Sequence, residues 1–112
     1  MKNALNKFIV GPQATIGEAY RKMLLNKKNI IFICQPNREI IGIVTDGDFK
    51  RAFWSNIDQK NSILSIGKKK IFCFINSNEL KKKRIFPSNV NHVPVLRKNK
   101  IIKIIFDVNK KT

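Results

Sequence analysis

Residues 14 to 29, "ATIGEAYRKMLLNKKN", place Ile16, Ala19, Tyr20, Met23 and Leu24 at helical spacing, so one face of the segment is apolar. The segment opens with a capping box, Thr15-Ile16-Gly17-Glu18, and Pro12 suits an extended lead-in. Next come two unbroken β-branched runs, "IIFICQ" (30 to 35) and "IIGIVT" (40 to 45), joined by the turn "PNRE". Strand, short turn, strand predicts a hairpin. "DGDFKRAFWSN" returns to helical spacing, with Phe49, Ala52 and Phe53 on one side and Asp46 or Asp48 at its start. A short strand is predicted at "KFIV". "IDQKNSILSIGKKK" is a polar connector with an apolar patch at Ile63, Leu64 and Ile66.

The order then returns in weaker form. "IFCFI" (71 to 75) predicts a strand, and "SNELKKKRIF" a short helix with Ser77 or Asn78 as cap that stops before Pro87. "HVPVL" and "IIKIIF" predict a second hairpin around "RKNK". Laying "NIIFICQPNREIIGIVTDGD" over "HVPVLRKNKIIKIIFDVN" gives an internal repeat whose second turn is two residues shorter. Ile31 then meets Pro94, Gly42 meets Lys103, Thr45 meets Phe106, Asp46 meets Asp107 and Asp48 meets Asn109. The period of about 60 residues is too long for the common solenoids. Two copies predict a pair of small α/β units of the α+β kind, related by a pseudo-twofold axis and packed sheet to sheet. Each has too little core to stand alone. The expected boundaries are 1–58 for the first repeat, 59–67 for the connector and 68–112 for the second.

"P-x-x-T-I-G-E-A" (Pro12, Thr15 to Ala19), the hairpin, and "G-I-V-T-D-G-D-F" (Gly42 to Phe49) together resemble a CBS domain. In the second half "HVPVL" resembles that family's apolar-Pro-Val strand. From about Phe8 to Phe106 the chain resembles a CBS-domain pair, or Bateman module. "TDGDFKRAF" is similar to the pairs that precede the catalytic domain in bacterial sugar nucleotidyltransferases and sugar-phosphate isomerases. The ending "HVPVLRKNKIIKIIF" is nearer the nucleotidyltransferase version. The resemblance implies a regulatory module that binds an adenosine nucleotide (AMP, ADP or ATP) in the cleft between repeats. It also implies a homodimer, with a fused or associated nucleotidyltransferase domain as partner.

Under the resemblance, Asp48 takes the position that holds the ribose hydroxyls and Thr45 that of the motif threonine, with Asp46 and Gly47 in the same turn. Chemistry agrees: a carboxylate accepts from vicinal hydroxyls, and a strand-end hydroxyl donates to ribose or phosphate. The helix that follows presents free N–H groups to an anion, and Lys50 and Arg51 add cations on its first turn. Asn91 and His92 fall where family members place polar or basic residues near the phosphates. From the residues alone, each of the two acids either caps the helix or meets a ligand. Comparison of the repeats favours Asp46 as the cap and Asp48 as the ribose acceptor. The second repeat is degenerate there, with Phe106 and Asn109 at the Thr and Asp positions and its last helix expected short or missing. At most one working site per chain follows. A ligand-free dimerisation domain is the alternative reading.

Charge alters this picture little. The 112 residues carry 23 Lys plus Arg against 7 Asp plus Glu, a formal charge of +16. So basic a chain favours phosphate-rich partners. Its lysines are spread along the whole length, however, and no interleaving of aromatic and basic positions marks a stacking surface. Nucleic-acid binding therefore ranks as the second alternative. Cys34 and Cys73 form no C-x-x-C pair and there is one histidine, so neither zinc nor any other metal site is expected, and buried free thiols are. No triad, P-loop or GxGxxG marks an enzyme. No stretch reaches the ~20 apolar residues of a membrane span. "MKNALNKFIV" lacks a signal-peptide core, which predicts a cytoplasmic protein.

Overall fold

The structure, a computed structural model, describes residues 5–67, 75–76 and 92–106. The chain divides into two compact units, Met1–Ile71 and Phe72–Thr112.

In the first unit β1 (Ile9–Val10) leads into α1 (Ile16–Asn26), β2 (Ile30–Cys34), β3 (Ile40–Thr45) and α2 (Asp46–Trp54), followed by a 3-10 turn at Ile63–Ser65. The sheet order is β1-β2-β3, with β1 parallel to β2 and β2 antiparallel to β3. β2 is therefore central, and all five of its residues are buried. That is why it reads as a continuous apolar run rather than an alternating one. Ile31, Ile33 and Val44 share one core cluster with Ile16, Ala19 and Met23 of α1, Phe49 of α2, and Ile63. Ile30, Phe32 and Cys34, on the opposite face of β2, are buried as well. Burial pushes the Cys34 thiol up to about 12, so it stays a neutral, inert thiol.

The connector has a structural job. Ile16 and Gly17 donate their first-turn N–H groups to the carbonyls of Asn61 and Gln59, each at 2.9 Å. These are among the helix donors with no partner inside the helix. Gly17 lets Gln59 approach closely, because a Cβ there would stand 2.8 Å from the Gln59 amide oxygen. At the other end of α1, buried Asn26 donates to the carbonyls of Lys7 and Ile30, both at 3.0 Å, and accepts from the Lys28 N–H at 2.8 Å. One side chain thus ties the helix end to the turn before β1 and to the start of β2.

In the second unit β4 (Ile75–Asn76) runs parallel to β5 (His92–Arg97), which pairs antiparallel with β6 (Lys100–Phe106). Its sheet repeats the topology of the first. The rest of the predicted "IFCFI" strand and the helix predicted at "SNELKKKRIF" lie outside the described residues.

The two hairpins turn differently. The first closes over Pro36, Asn37 and Arg38: the Gln35 N–H donates to the Glu39 carbonyl, the Arg38 N–H donates to the Gln35 carbonyl, and Arg38 is left-handed at φ 77°. This is the three-residue loop whose last residue takes positive φ. The second turns on two residues, Lys98 (φ 51°) and Asn99 (φ 65°). Both are left-handed, as a type I′ turn requires, and Arg97 pairs with Lys100 across it.

The register corrects one pair of the repeat alignment. Each hairpin carries a bulge: Ile33 and Cys34 face Gly42 and Ile40 across the skipped Ile41, and Val95 and Leu96 face Lys103 and Ile101 across the skipped Ile102. Matching the bulges lays Gly42 on Lys103 and Thr45 on Phe106, and sets Ile31 on Val93 rather than Pro94. The second hairpin is therefore one residue shorter, not two. In the sequence Asp46 stays opposite Asp107 and Asp48 opposite Asn109.

Candidate functional site

Strand β3 ends at Thr45 and the next residue is already helical. Thr45 has extended dihedrals (φ −111°, ψ 171°) and is the N-cap of α2. Asp46, Gly47 and Asp48 are the first three residues of the helix. The spacing T-D-G-D thus repeats the device of T-I-G-E at the start of α1, a capping box in which the third helical residue reaches back to the cap.

The expected division of labour between the acids is therefore wrong in one half. Asp46 does not cap the helix. It is exposed to solvent over about a third of its side chain and pairs with Lys50 at 3.0 Å, one turn on. Asp48 supplies the reciprocal half of the cap, its Oδ2 accepting the Thr45 backbone N–H at 2.9 Å and the Thr45 hydroxyl at 3.0 Å. Sequence reasoning missed this because it placed the cap at an acid. Thr45 lies at the same offset from Asp48 as Thr15 from Glu18, and that parallel was the available signal.

Asp48 is also the one buried carboxylate among the described residues, with its side chain 6% exposed. Burying a carboxylate requires compensating donors or charge. Arg51 provides both, donating Nη2 to Asp48 Oδ1 at 2.6 Å while its own side chain stays 69% exposed. The guanidinium folds back over the first turn of the helix. A Cβ on Gly47 would stand 3.3 Å from Arg51 Nη1, so the missing side chain leaves room for that path. Two acids and two cations occupy one and a half helical turns, each acid matched to one cation. This is how a chain of charge +16 accommodates paired acids.

The contrast with α1 is informative. Glu18 accepts the Thr15 N–H at 2.8 Å, and its own N–H donates to the Thr15 hydroxyl at 3.1 Å. The Thr15 backbone bond, then the Thr15 hydroxyl, hold its carboxyl below its ordinary value. Glu18 is exposed and serves as a cap in solvent.

Of the residues singled out from sequence, Thr45, Asp46, Gly47, Asp48, Lys50 and Arg51 are brought together at this strand-to-helix junction. His92 opens β5, where its backbone pairs with Phe106; Asn91 lies outside the described residues. An open groove beside the junction is lined by Lys50, Arg51, Trp54 and Ser55. Trp54 is 91% exposed, and its spacing of three and four from Arg51 and Lys50 is the signal that it shares their side of the helix. Phe53, expected on the packed side, contacts Tyr20 of α1 edge-on with centroids 4.9 Å apart.

The junction can accept hydroxyl donors at a buried carboxylate and offer cations and helix N–H groups to an anion. Among the described residues no helix is long and apolar enough to cross a membrane.

Comparison with known proteins bears on this arrangement. Residues 4–55 match the family model of the CBS domain, a span that contains α1, the hairpin and the whole junction. No curated protein matches the sequence. Among solved structures, Staphylococcus aureus OpuCA superposes with a TM-score of 0.69 at 18% identity, covering 91% of this chain and 86% of that one. A CBS domain protein from Pyrobaculum aerophilum, complexed with AMP, gives a TM-score of 0.69 at 16% identity, covering 92% and 83%. A CBS-domain-containing protein from Agrobacterium tumefaciens gives 0.67 at 19% identity, covering 94% and 85%. At such identities the superpositions establish the fold. The sequence match assigns residues 4–55 to the CBS domain.

Proposed function

We propose that this protein is a non-catalytic, cytoplasmic regulatory module. It binds an adenosine nucleotide of the AMP, ADP or ATP type, dimerises, and acts on a fused or associated sugar nucleotidyltransferase domain. Residues 68–112 serve in this reading as the degenerate second repeat. The observation that carries it is Asp48, a buried carboxylate at a strand-to-helix junction, surrounded by Thr45, Gly47, Lys50 and Arg51. A buried acid in an otherwise basic chain suits ribose hydroxyls, and the cations and helix start suit phosphate. That the Pyrobaculum protein of the same fold is complexed with AMP adds support. Regulation through the site requires the nucleotide to bind two states of the module unequally.

Isothermal titration of the full chain with AMP, ADP, ATP and S-adenosylmethionine tests the reading, with Asp48→Ala as the control and tripolyphosphate as the competitor. Saturable heat that survives tripolyphosphate and disappears in Asp48→Ala supports it. No heat, or heat that tripolyphosphate alone reproduces, removes the nucleotide and leaves only charge.

The ligand-free dimerisation reading is favoured by one observation. Leu25 on α1 and Trp54 on α2 are 79% and 91% exposed. It requires a dimer in light scattering whose melting temperature is indifferent to nucleotides.

A further inference from the structure

Asp48 is already occupied. Its Oδ2 takes two donors from Thr45 and its Oδ1 takes the Arg51 guanidinium. A carboxylate offers about four acceptor positions. A vicinal diol brings two further donors, more than the remaining capacity, so one present donor must leave when the diol arrives. The Thr45 N–H cannot, being main chain at the end of β3 and paired opposite Ile30. The Thr45 hydroxyl is short and belongs to a half-buried residue. Arg51 is long, 69% exposed, and regains water as it leaves.

We infer that Arg51 is an internal competitor for Asp48, and that exchanging it makes the site select phosphorylated ligands. This rests on Asp48 being the hydroxyl-binding group. A diol displaces the guanidinium from the carboxylate. The released cation is a planar fork whose geometry matches a phosphate. A nucleotide therefore returns a partner to Arg51, whereas a nucleoside does not. Gly47 keeps the turn bare along the path of the side chain. Arg51 thereby acts as a specificity residue even though Asp48 holds the hydroxyls.

The test compares adenosine with AMP by titration of the full chain as wild type, Arg51→Met, Arg51→Lys and Asp48→Asn. Circular dichroism confirms that each variant is folded. Arg51→Met should tighten adenosine by about twofold to fivefold, the worth of a largely exposed ion pair, and should not tighten AMP. The preference for AMP over adenosine then falls by at least that factor. Arg51→Lys keeps a charge without the fork and should recover part of it. If adenosine binds Arg51→Met no more tightly than wild type, or the two ligands shift together, the competition does not exist. Wild type that binds neither ligand overturns the reading of the site, and the competition with it. Binding that needs Asp48 but ignores Arg51 overturns the competition alone.

Discussion

Helices α1 and α2 begin alike, T-I-G-E in the first and T-D-G-D in the second, and end up in different surroundings. In each the threonine is the N-cap, glycine is second in the helix and the acid third. Glu18 is long and exposed, and its carboxylate closes a capping box in water. Asp48 is one methylene shorter, is drawn under the turn to 6% exposure, and needs Arg51 to balance it. The glycines differ in the same way. Gly17 faces Gln59 of the connector, whereas Gly47 faces the largely exposed guanidinium of Arg51. A common capping device thus becomes a chemically loaded site through one methylene, burial and a cation three residues on.

The harshest way to break this comparison is to remove what holds α2 against α1. Phe49 is fully buried and packs on Tyr20, with ring centroids 5.2 Å apart. Phe49→Ala should cost about 3–5 kcal/mol and largely unfold the first unit, read by urea denaturation. Next in size is the pair Asp48→Ala and Glu18→Ala. The first strands the donors of Thr45 at a half-buried position and should cost about 1–3 kcal/mol. The second returns an exposed N–H to water and should cost less. Equal losses would mean that burial does not separate the two caps. Smaller still is Gly47→Ala, which should stabilise by about 0.5–1 kcal/mol because neither glycine has positive φ and alanine favours the helix. Gly17→Ala gains the same propensity but must turn the Gln59 amide aside, so its net gain is smaller. Thermal melts rank the two.

The smallest effect is on pH dependence. The Glu18 carboxyl is held below its ordinary value of 4.5 in the folded chain. Its contribution is therefore complete above the unfolded value and fades as pH falls through the depressed folded one. Titration of its side-chain carbon by NMR should place its midpoint below 4.5, and Thr15→Ala should raise that midpoint.

Elements were legible wherever period and chemistry agreed. The capping box at Thr15, the unbroken run of β2 and the apolar face of α2 each correspond to one described element. What the sequence concealed depended on a single backbone angle. The cap of α2 went to Asp46 because acids are good N-caps, whereas extended dihedrals at Thr45 make the threonine the cap and Asp48 its partner. The repeat alignment slipped by one residue because Lys98 and Asn99 both adopt positive φ, and no glycine announces it. Asn26 passed as an ordinary polar residue near a helix end. One of its three hydrogen bonds reaches back to the Lys7 carbonyl, before the helix and β1, which no local pattern reports. The register leaves Phe106 at the place of Thr45, so the second sheet repeats the topology without the hydroxyl.

The role given to Asp48 stands or falls on the titration of AMP into wild type and Asp48→Asn, with excess tripolyphosphate present throughout. Asparagine keeps the size of the side chain and an acceptor for the cap, but loses the charge and half the accepting capacity. The expected result is saturable binding to wild type that weakens at least tenfold in the variant, while circular dichroism shows both folded. Equal affinity in the two proteins, or no binding to either, would contradict it.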